Sequence, residues 1–362
     1  MVRYVQEFHD AAAARGLTAA IERITSRSLN LMEVCGTHTV AIFRHGIRQL
    51  LPPPLSMLSG PGCPVCVTTN ADIDKAIALA EQAGVTLATF GDMMKVPGSY
   101  QSLQQVKADG SDVRVVYSPR DAVCMARDNP QRPVVFFAVG FETTAPTIAA
   151  SLLEAEAVGL KNYYLISVHK LIPPAMRALL EAGEVRIDGF ICPGHVSVVI
   201  GSQPYEFIPQ EYGVPCVITG FEPLDVLQGI DMLLRQIADG RAEVEIQYRR
   251  GVRPEGNPLA RELVSRVFET SDADWRGLGC IPGSGLKLRP GYERFDAEKA
   301  FVINPPPTKE HKGCLCGDIL RGVKTPPECP LFARACTPER PVGPCMVSSE
   351  GTCAGWYQYG SR

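Results

Sequence analysis

No stretch of this chain stays apolar for the ~18 residues that a membrane-spanning helix needs. The longest apolar run, Val134 to Val139, has the length of a buried strand. The opening residues, Met1-Val2-Arg3-Tyr4-Val5-Gln6-Glu7, are polar and amphipathic and lack the apolar centre of a signal peptide. A cytoplasmic location without membrane association is therefore expected. A field of one charge is missing too: 36 Lys and Arg stand against 39 Asp and Glu, for a net charge of -3. Without a basic surplus there is little to neutralise a phosphate backbone, which argues against nucleic-acid binding. The hydrophobic share of 45% and charged share of 21% are those of an ordinary globular protein. At 362 residues the chain exceeds the ~250–300 that one core supports, so two or three domains are expected.

What the chain has in quantity is cysteine, thirteen in all. An odd number cannot pair completely. In a cytosolic chain such thiols stay reduced and serve metal binding or catalysis more than a disulfide framework. Six fall between Cys314 and Cys353, in a tail rich in Pro and Gly. Three more lie near the front, as Cys35 in Cys35-Gly36-Thr37-His38-Thr39 and as Cys63-Pro64-Val65-Cys66. Thiolate is a soft ligand that selects zinc, copper(I) or iron–sulfur clusters. Two separate groups imply two sulfur sites with different tasks.

Periodicity predicts a helix over 2–27, through Val5, Phe8, Ala12, Leu17, Ala20 and Ile21, then a strand from Leu29 to Val34. Further strands are expected at 55–59, 85–90, 113–117, 133–140, 163–168, 187–192 and 215–219. Helical patterns alternate with them at Asp72–Ala83, Pro119–Arg127, Pro146–Val158 and Pro173–Ala182. This alternation indicates βαβ units and parallel sheets. The break at Asn129–Pro133 divides the region into two similar halves, read as two doubly wound α/β domains. Helices are expected from Pro223 to about Ala238 and over Pro258–Glu269. From Trp275 onward the text is loop-like, and such a tail needs a metal staple to fold.

The unusual polar residues follow predicted strands one after another. Cys35–His38, Gly60–Cys66, Gly91-Asp92, Glu142-Thr143-Thr144, His169-Lys170, Gly194-His195 and Gly220-Phe221-Glu222 each end one. In open α/β sheets the ligand crevice lies outside the carboxyl ends of the strands. Seven such loops point to a cleft between the domains. The plain alternatives are caps and turns: Thr143 and Thr144 capping the next helix, Glu142 favoured by its dipole, Asp92 in a turn, and His169 and His195 as structural histidines. Cys124, Cys192, Cys216 and Cys280 read as small buried hydrophobes.

The Cys63–Cys66 pair stands between a strand and a helix start, where a thiol has a depressed pKa. Such a pair serves either a dithiol–disulfide couple or a zinc site completed by Cys35 and His38. In the tail, Cys314, Cys316, Cys329, Cys336, Cys345 and Cys353 follow neither a ferredoxin run nor a paired zinc ribbon. Their number suits [4Fe–4S] or Zn(Cys)4 without separating the two. Cys329, Cys336, Cys345 and Cys353 are the expected cluster ligands, with Cys316 as substitute.

Taken together, Cys35–Thr39, Gly60–Cys66, Gly140–Pro146, Pro193–Ser197 and the tail from Cys316 to Cys353 resemble the HypD family of hydrogenase maturation factors. The likeness spans nearly the whole chain. It implies assembly of the Fe(CN)2CO unit of [NiFe]-hydrogenase, together with a small HypC-type chaperone and a HypE-type protein that brings cyanide as a thiocyanate made with HypF. The hydrogenase large subunit is then an indirect partner. It also implies two α/β domains and a third, built from both chain ends, that carries a [4Fe–4S] cluster. The expected division is 1–50 joining the iron–sulfur domain, 51–130 and 131–222 as the α/β domains, and 223–362 as the helical and Cys-rich part. Carried over, Cys35 binds an Fe(II) bearing CN and CO. Cys63 and Cys66 are a redox pair or further iron ligands, and His38 and Glu142 share the cleft with Asp92, Thr143, Thr144, His169 and His195. The rival readings are a stand-alone cluster-dependent thiol–disulfide reductase and a zinc-stapled interaction module.

Overall fold

The computed structural model describes residues 10–360. Val5 and Phe8 of the expected first helix lie outside the described residues. Within them the helix runs Ala11–Ile24, started by Asp10, whose carboxylate accepts the amides of Ala12 at 2.7 Å and Ala13 at 3.1 Å. Its apolar face packs on the helix Pro223–Ala238.

The strands are β1 Leu29–Glu33, β2 Leu55–Ser59, β3 Thr86–Phe90, β4 Asp112–Val116, β5 Val134–Ala138, β6 Tyr163–Ser167, β7 Gly189–Pro193, β8 Cys216–Thr219 and β9 Val244–Ile246. They build two parallel sheets, ordered β2-β1-β7-β8-β9 and β4-β3-β5-β6. Every residue of β5 is buried, as a strand covered by helices on both faces requires. Helices Asn70–Ala80, Leu103–Ala108 and Pro119–Asp128 start in capping boxes at Thr69/Asp72, Ser102/Gln105 and Ser118/Asp121.

The strand pairing does not follow the expected boundary at 130/131. β5 pairs with β3 across that point, while β1 pairs with both β2 and β7. The chain leaves the first sheet after β2, builds the second from β3 to β6, and returns for β7 to β9. Local alternation of strand and helix reports βαβ units. Which strands become neighbours is decided by the crossovers, and periodicity carries no trace of them. Both sheets reverse their order once, between β1 and β7 in the first and between β3 and β5 in the second. Those reversals are where crevices open.

The region expected to be loop from Trp275 contains an antiparallel hairpin, β10 Phe268–Trp275 and β11 Gly279–Leu288. Gly279, Pro282, Gly283 and Gly285 hid β11 from propensity, and cross-strand pairing overrides it. The tail beyond does bury apolar surface. Ile319, Leu320 and Met346 join the same buried cluster as Met32, Val34 and Phe137. The last helix, Thr352–Tyr359, packs on the helix Gly36–Arg44, with Trp356 edge-on to Phe43 at 5.5 Å and Arg48 over both rings. The short helix Pro344–Val347 lies against Pro64–Val67. No helix among the described residues is long and apolar enough to cross a membrane.

The loop after β2 lies directly on the turn after β1. The Gly36 amide donates to Gly62 O at 2.8 Å, and that of Gly60 to Glu33 O at 2.7 Å. A Cβ on Gly62 would fall 2.0 Å from the Cys35 nitrogen. Gly62→Ala is expected to destabilise the fold by about 1–3 kcal/mol. Urea unfolding checks this, and an unchanged midpoint would refute the contact.

Candidate functional site

Cys35 ends the first strand and starts the helix Gly36–Arg44. Its amide donates to Glu33 Oε2 at 2.9 Å, and Thr39 Oγ1 donates to Glu33 Oε1 at 2.5 Å. Burial pushes the Glu33 carboxyl up to about 8 and the Cys35 thiol up to about 12. An acid at the inner end of an apolar strand was a signal in the sequence that went unused. Across the β1/β7 reversal, Cys35 Sγ lies 3.5 Å from Nε2 of His195, which opens the helix Gly194–Ile200 after β7. Burial holds His195 down at about 4, so it is neutral at pH 7. Phe221, from the loop after β8, sits between the rings of His195 and His38, 4.9 Å from each.

His38 itself is fully buried behind Phe221. Its Nε2 donates to Gly220 O at 2.9 Å, and Thr219 Oγ1 lies 2.9 Å away. It braces the first helix of the site against the end of β8 and does not line the cleft.

The cleft is a cavity of about 440 Å³ where the two sheet reversals face each other. Thr37, Pro64 and His195 line it from the first sheet's loops, and Asp92, Thr143 and Thr144 from those of the second. Cys35 lies just beneath, touching the lining residues Gly62 and His195. Thr144 stands at the cap position of the helix Ala145–Ala157, yet its hydroxyl donates to Phe141 O at 3.2 Å instead of capping. The tail supplies Glu350, which accepts from Thr37 Oγ1 at 2.7 Å. Its run, Ser348 to Cys353, was legible in the sequence, but the role of its acid was not.

Two further expected cleft residues lie elsewhere. Glu142 lines a separate apolar cavity of about 380 Å³, where Oε1 accepts the Ile172 amide at 2.9 Å and Oε2 has no partner. His169 lines a third cavity of about 300 Å³ under the hairpin. Its Nδ1 meets Ser167 Oγ at 2.9 Å, while that hydroxyl donates to Leu286 O at 2.7 Å. The hairpin that sequence missed covers the end of β6 and removes its loop from the cleft.

Cys63 and Cys66 turn away from the cleft toward the tail. They flank a single helical turn, Pro64–Val67, separate from the longer helix that begins at Asn70. Their sulfurs are 2.7 Å apart. Burial raises both, but for Cys66 hydrogen bonds from Cys345 and Cys63 and the charge of Arg276 win and hold it at about 5. Cys63 is pushed up by its own burial and by Cys66. Cys345 in turn lies 2.8 Å from Cys316 and hydrogen-bonds Cys353. The front pair and the tail thiols thus form one continuous chain of sulfur contacts.

All six tail cysteines line one small cavity, closed by Ile319, Leu331, Phe332 and Met346. Among the described residues no three His, Cys, Asp or Glu side chains are arranged to hold a single metal ion. An exclusively thiol and apolar lining is the donor chemistry of a cluster site and offers no hard oxygen ligand. Of the isolated cysteines, Cys192 and Cys216 are fully buried, Cys124 is half-buried, and Cys280, expected inside, is exposed on the hairpin.

Residues 12–360 match the HypD family model, described as the hydrogenase formation hypA family. The chain belongs to the HypD family. It is 50% identical over 370 residues to the hydrogenase maturation factor HypD of Azotobacter vinelandii, covering 100% of this chain and 98% of that one. Identity to the HypD of Cupriavidus necator is 49%, covering 99% and 97% of the two chains. Over 334 residues it is 49% to that of Escherichia coli, covering 92% and 90%. The segments that carried the resemblance to HypD are the ones that the fold gathers around the cavity and along the sulfur chain.

Glu142 generates a pH dependence. Burial raises its carboxyl from 4.5 to about 7. The folded state therefore binds a proton that the unfolded state has released, and this contribution to stability fades as pH rises from about 4.5 through 7. Glu142→Gln keeps the acceptor for Ile172 and removes the titration. In urea unfolding at pH 5 and pH 7.5, this group should account for about 2 kcal/mol of the parent's fall, alongside the buried Glu33. The variant should be flatter by that amount, and parallel pH profiles would refute the assignment.

Proposed function

We propose that this chain is the scaffold, and the source of electrons, for assembling the Fe(CN)2CO unit of a [NiFe]-hydrogenase. The observation that carries this reading is the meeting of both sheet reversals at one cavity, with Cys35 beneath it and a thiol pair that leads to the tail. Its membership of a family of hydrogenase maturation factors supports the same direction.

In this reading iron is the substrate, held by Cys35 and by a cysteine of a small HypC-type chaperone. A thiol must lose its proton to bind a metal. Burial favours the protonated thiol at Cys35, so the charge of the arriving iron displaces the proton, and His195 Nε2 contacts the same sulfur at 3.5 Å. Thr37, Asp92, Thr143 and Thr144 line the space in which ligands reach the iron. A HypE-type protein delivers cyanide as a thiocyanate, R–S–CN, and releasing it takes two electrons. Oxidation of the Cys63 and Cys66 thiols to a disulfide provides two electrons and two protons. One proton goes to the carrier's thiolate and the other to cyanide, which balances the step as R–SH plus HCN. Cys66, hydrogen-bonded to Cys345, connects this pair to the tail. Cys329, Cys336, Cys345 and Cys353, with Cys316 as substitute, would hold a [4Fe–4S] cluster, which when bound supplies one-electron reduction. The protein acts in the cytoplasm. The contact of Cys63 with Cys66 also suits a stand-alone thiol–disulfide reductase, which would bind no iron at Cys35.

Two outcomes separate these readings. Infrared spectra of the complex copurified anaerobically with the chaperone should show cyanide and carbonyl bands. Cys35→Ala should abolish them and leave the visible absorption of the tail intact, whereas bands that persist in the variant refute the iron site. Metal analysis should find about four iron and four sulfide in the tail. Zinc there, with no absorption bleached by dithionite, would exclude the cluster.

A further inference from the structure

A further cavity, of about 400 Å³, shares no lining residue with the one above Cys35. Its size falls in the range of small-molecule sites. Cys314 and Cys316 form part of its wall, so it touches the sulfur chain from outside. Arg276 and Asn70 form another part, and their side chains are buried, with relative exposures of 8% and 5%. Arg276 donates through Nε to Thr68 O at 2.9 Å, and its nearest carboxylate, Glu310, is 4.0 Å away and exposed. Its Nη2 has no hydrogen-bond partner, and neither has Oδ1 of Asn70. Both atoms lie just beneath the cavity wall, and because buried polar groups are seldom left unpaired, an occupant supplying an acceptor and a donor would satisfy them. The segment 305–311 passes over the cavity and is tied down at three points. The Lys309 amide donates to Ser99 Oγ at 2.7 Å, Asn70 Nδ2 to Lys309 O at 2.7 Å, and the Tyr100 hydroxyl to Pro307 O at 3.1 Å. Lys309 brings a second cation to the rim.

We propose that this cavity binds a low-molecular-weight thiol bearing a carboxylate and an amide N–H. The carboxylate pairs with Arg276 and is attracted by Lys309. The N–H donates to Oδ1 of Asn70, and the ligand's sulfur lies against Cys314 and Cys316. A carboxylate–guanidinium pair out of bulk water is a strong anchor, and the second hydrogen bond rejects simple carboxylates.

Calorimetric titration of the full-length protein, anaerobic and reduced, with reduced glutathione tests this by binding alone. A negative result therefore leaves the assembly role untouched. Saturable binding is expected. Glutathione diethyl ester keeps the thiol and amides but lacks the carboxylates, and should bind at least tenfold more weakly. Arg276→Gln should weaken glutathione by a similar factor. Lys309→Gln changes only an exposed side chain and should weaken it severalfold, which decides the matter even if Arg276→Gln fails to fold. No saturation, equal affinity for the ester, or undiminished affinity in Lys309→Gln would overturn the proposal.

Discussion

The arrangement of this protein rests on one backbone contact, the packing of the Gly60-Pro61-Gly62 loop on the turn at Cys35. Two parallel neighbours, β1 and β2, would ordinarily end in loops that diverge to reach their helices. Here the Gly60 and Gly36 amides tie those loops together, at 2.7 and 2.8 Å. The approach is too close for any side chain at position 62. One thiol is thereby set under the cleft, while the two that follow in sequence are directed to the opposite side. The separation of Cys35 from the Cys63–Cys66 pair follows from this contact.

Around it the protein buries groups that water would normally keep. Glu33, His38, Cys35 and the Cys63–Cys66 pair are all buried; burial is the leading cause of the shifts at Glu33, His38, Cys35 and Cys63, whereas at Cys66 hydrogen bonds and the charge of Arg276 outweigh it. Most are supported by a specific partner: Thr39 and the Cys35 amide for Glu33, Gly220 and Thr219 for His38, Arg276 for Cys66. A buried network of this kind is costly when partly satisfied and rigid when complete. Here it fixes the position of a thiol at the bottom of a crevice.

The tail shows how a segment poor in regular structure is retained. Its short helices bury Ile319, Leu320 and Met346 in the cluster of Met32 and Val34, set Trp356 edge-on to Phe43, and the turn between them supplies Glu350 to the cleft. Docking brings Cys345 against Cys66, so that two sulfur groups almost 280 residues apart in sequence become neighbours. Apolar packing is one source of order for this tail.

Much was legible in the residues themselves. The apolar runs that became β1 to β8, the caps that start the helices, and the placing of Cys35, Asp92, Thr143 and His195 after strands are local properties of dihedral preference, capping and burial. So is the donor chemistry of the tail, since thiol type and number do not depend on the fold. Strand neighbours, by contrast, are set by crossovers, and β5 therefore joined β3 across a break that looked like a boundary. The hairpin was hidden by its glycines and proline, and by covering the end of β6 it took His169 out of the cleft. Glu142 and His38 sit in suitable loops but point elsewhere, because side-chain direction depends on what packs beneath each turn. The sequence by itself determined which chemistry the chain carries and that strand ends present it. Only tertiary structure decided which strand ends meet and which sulfurs touch, because those contacts join segments whose local patterns hold no information about one another.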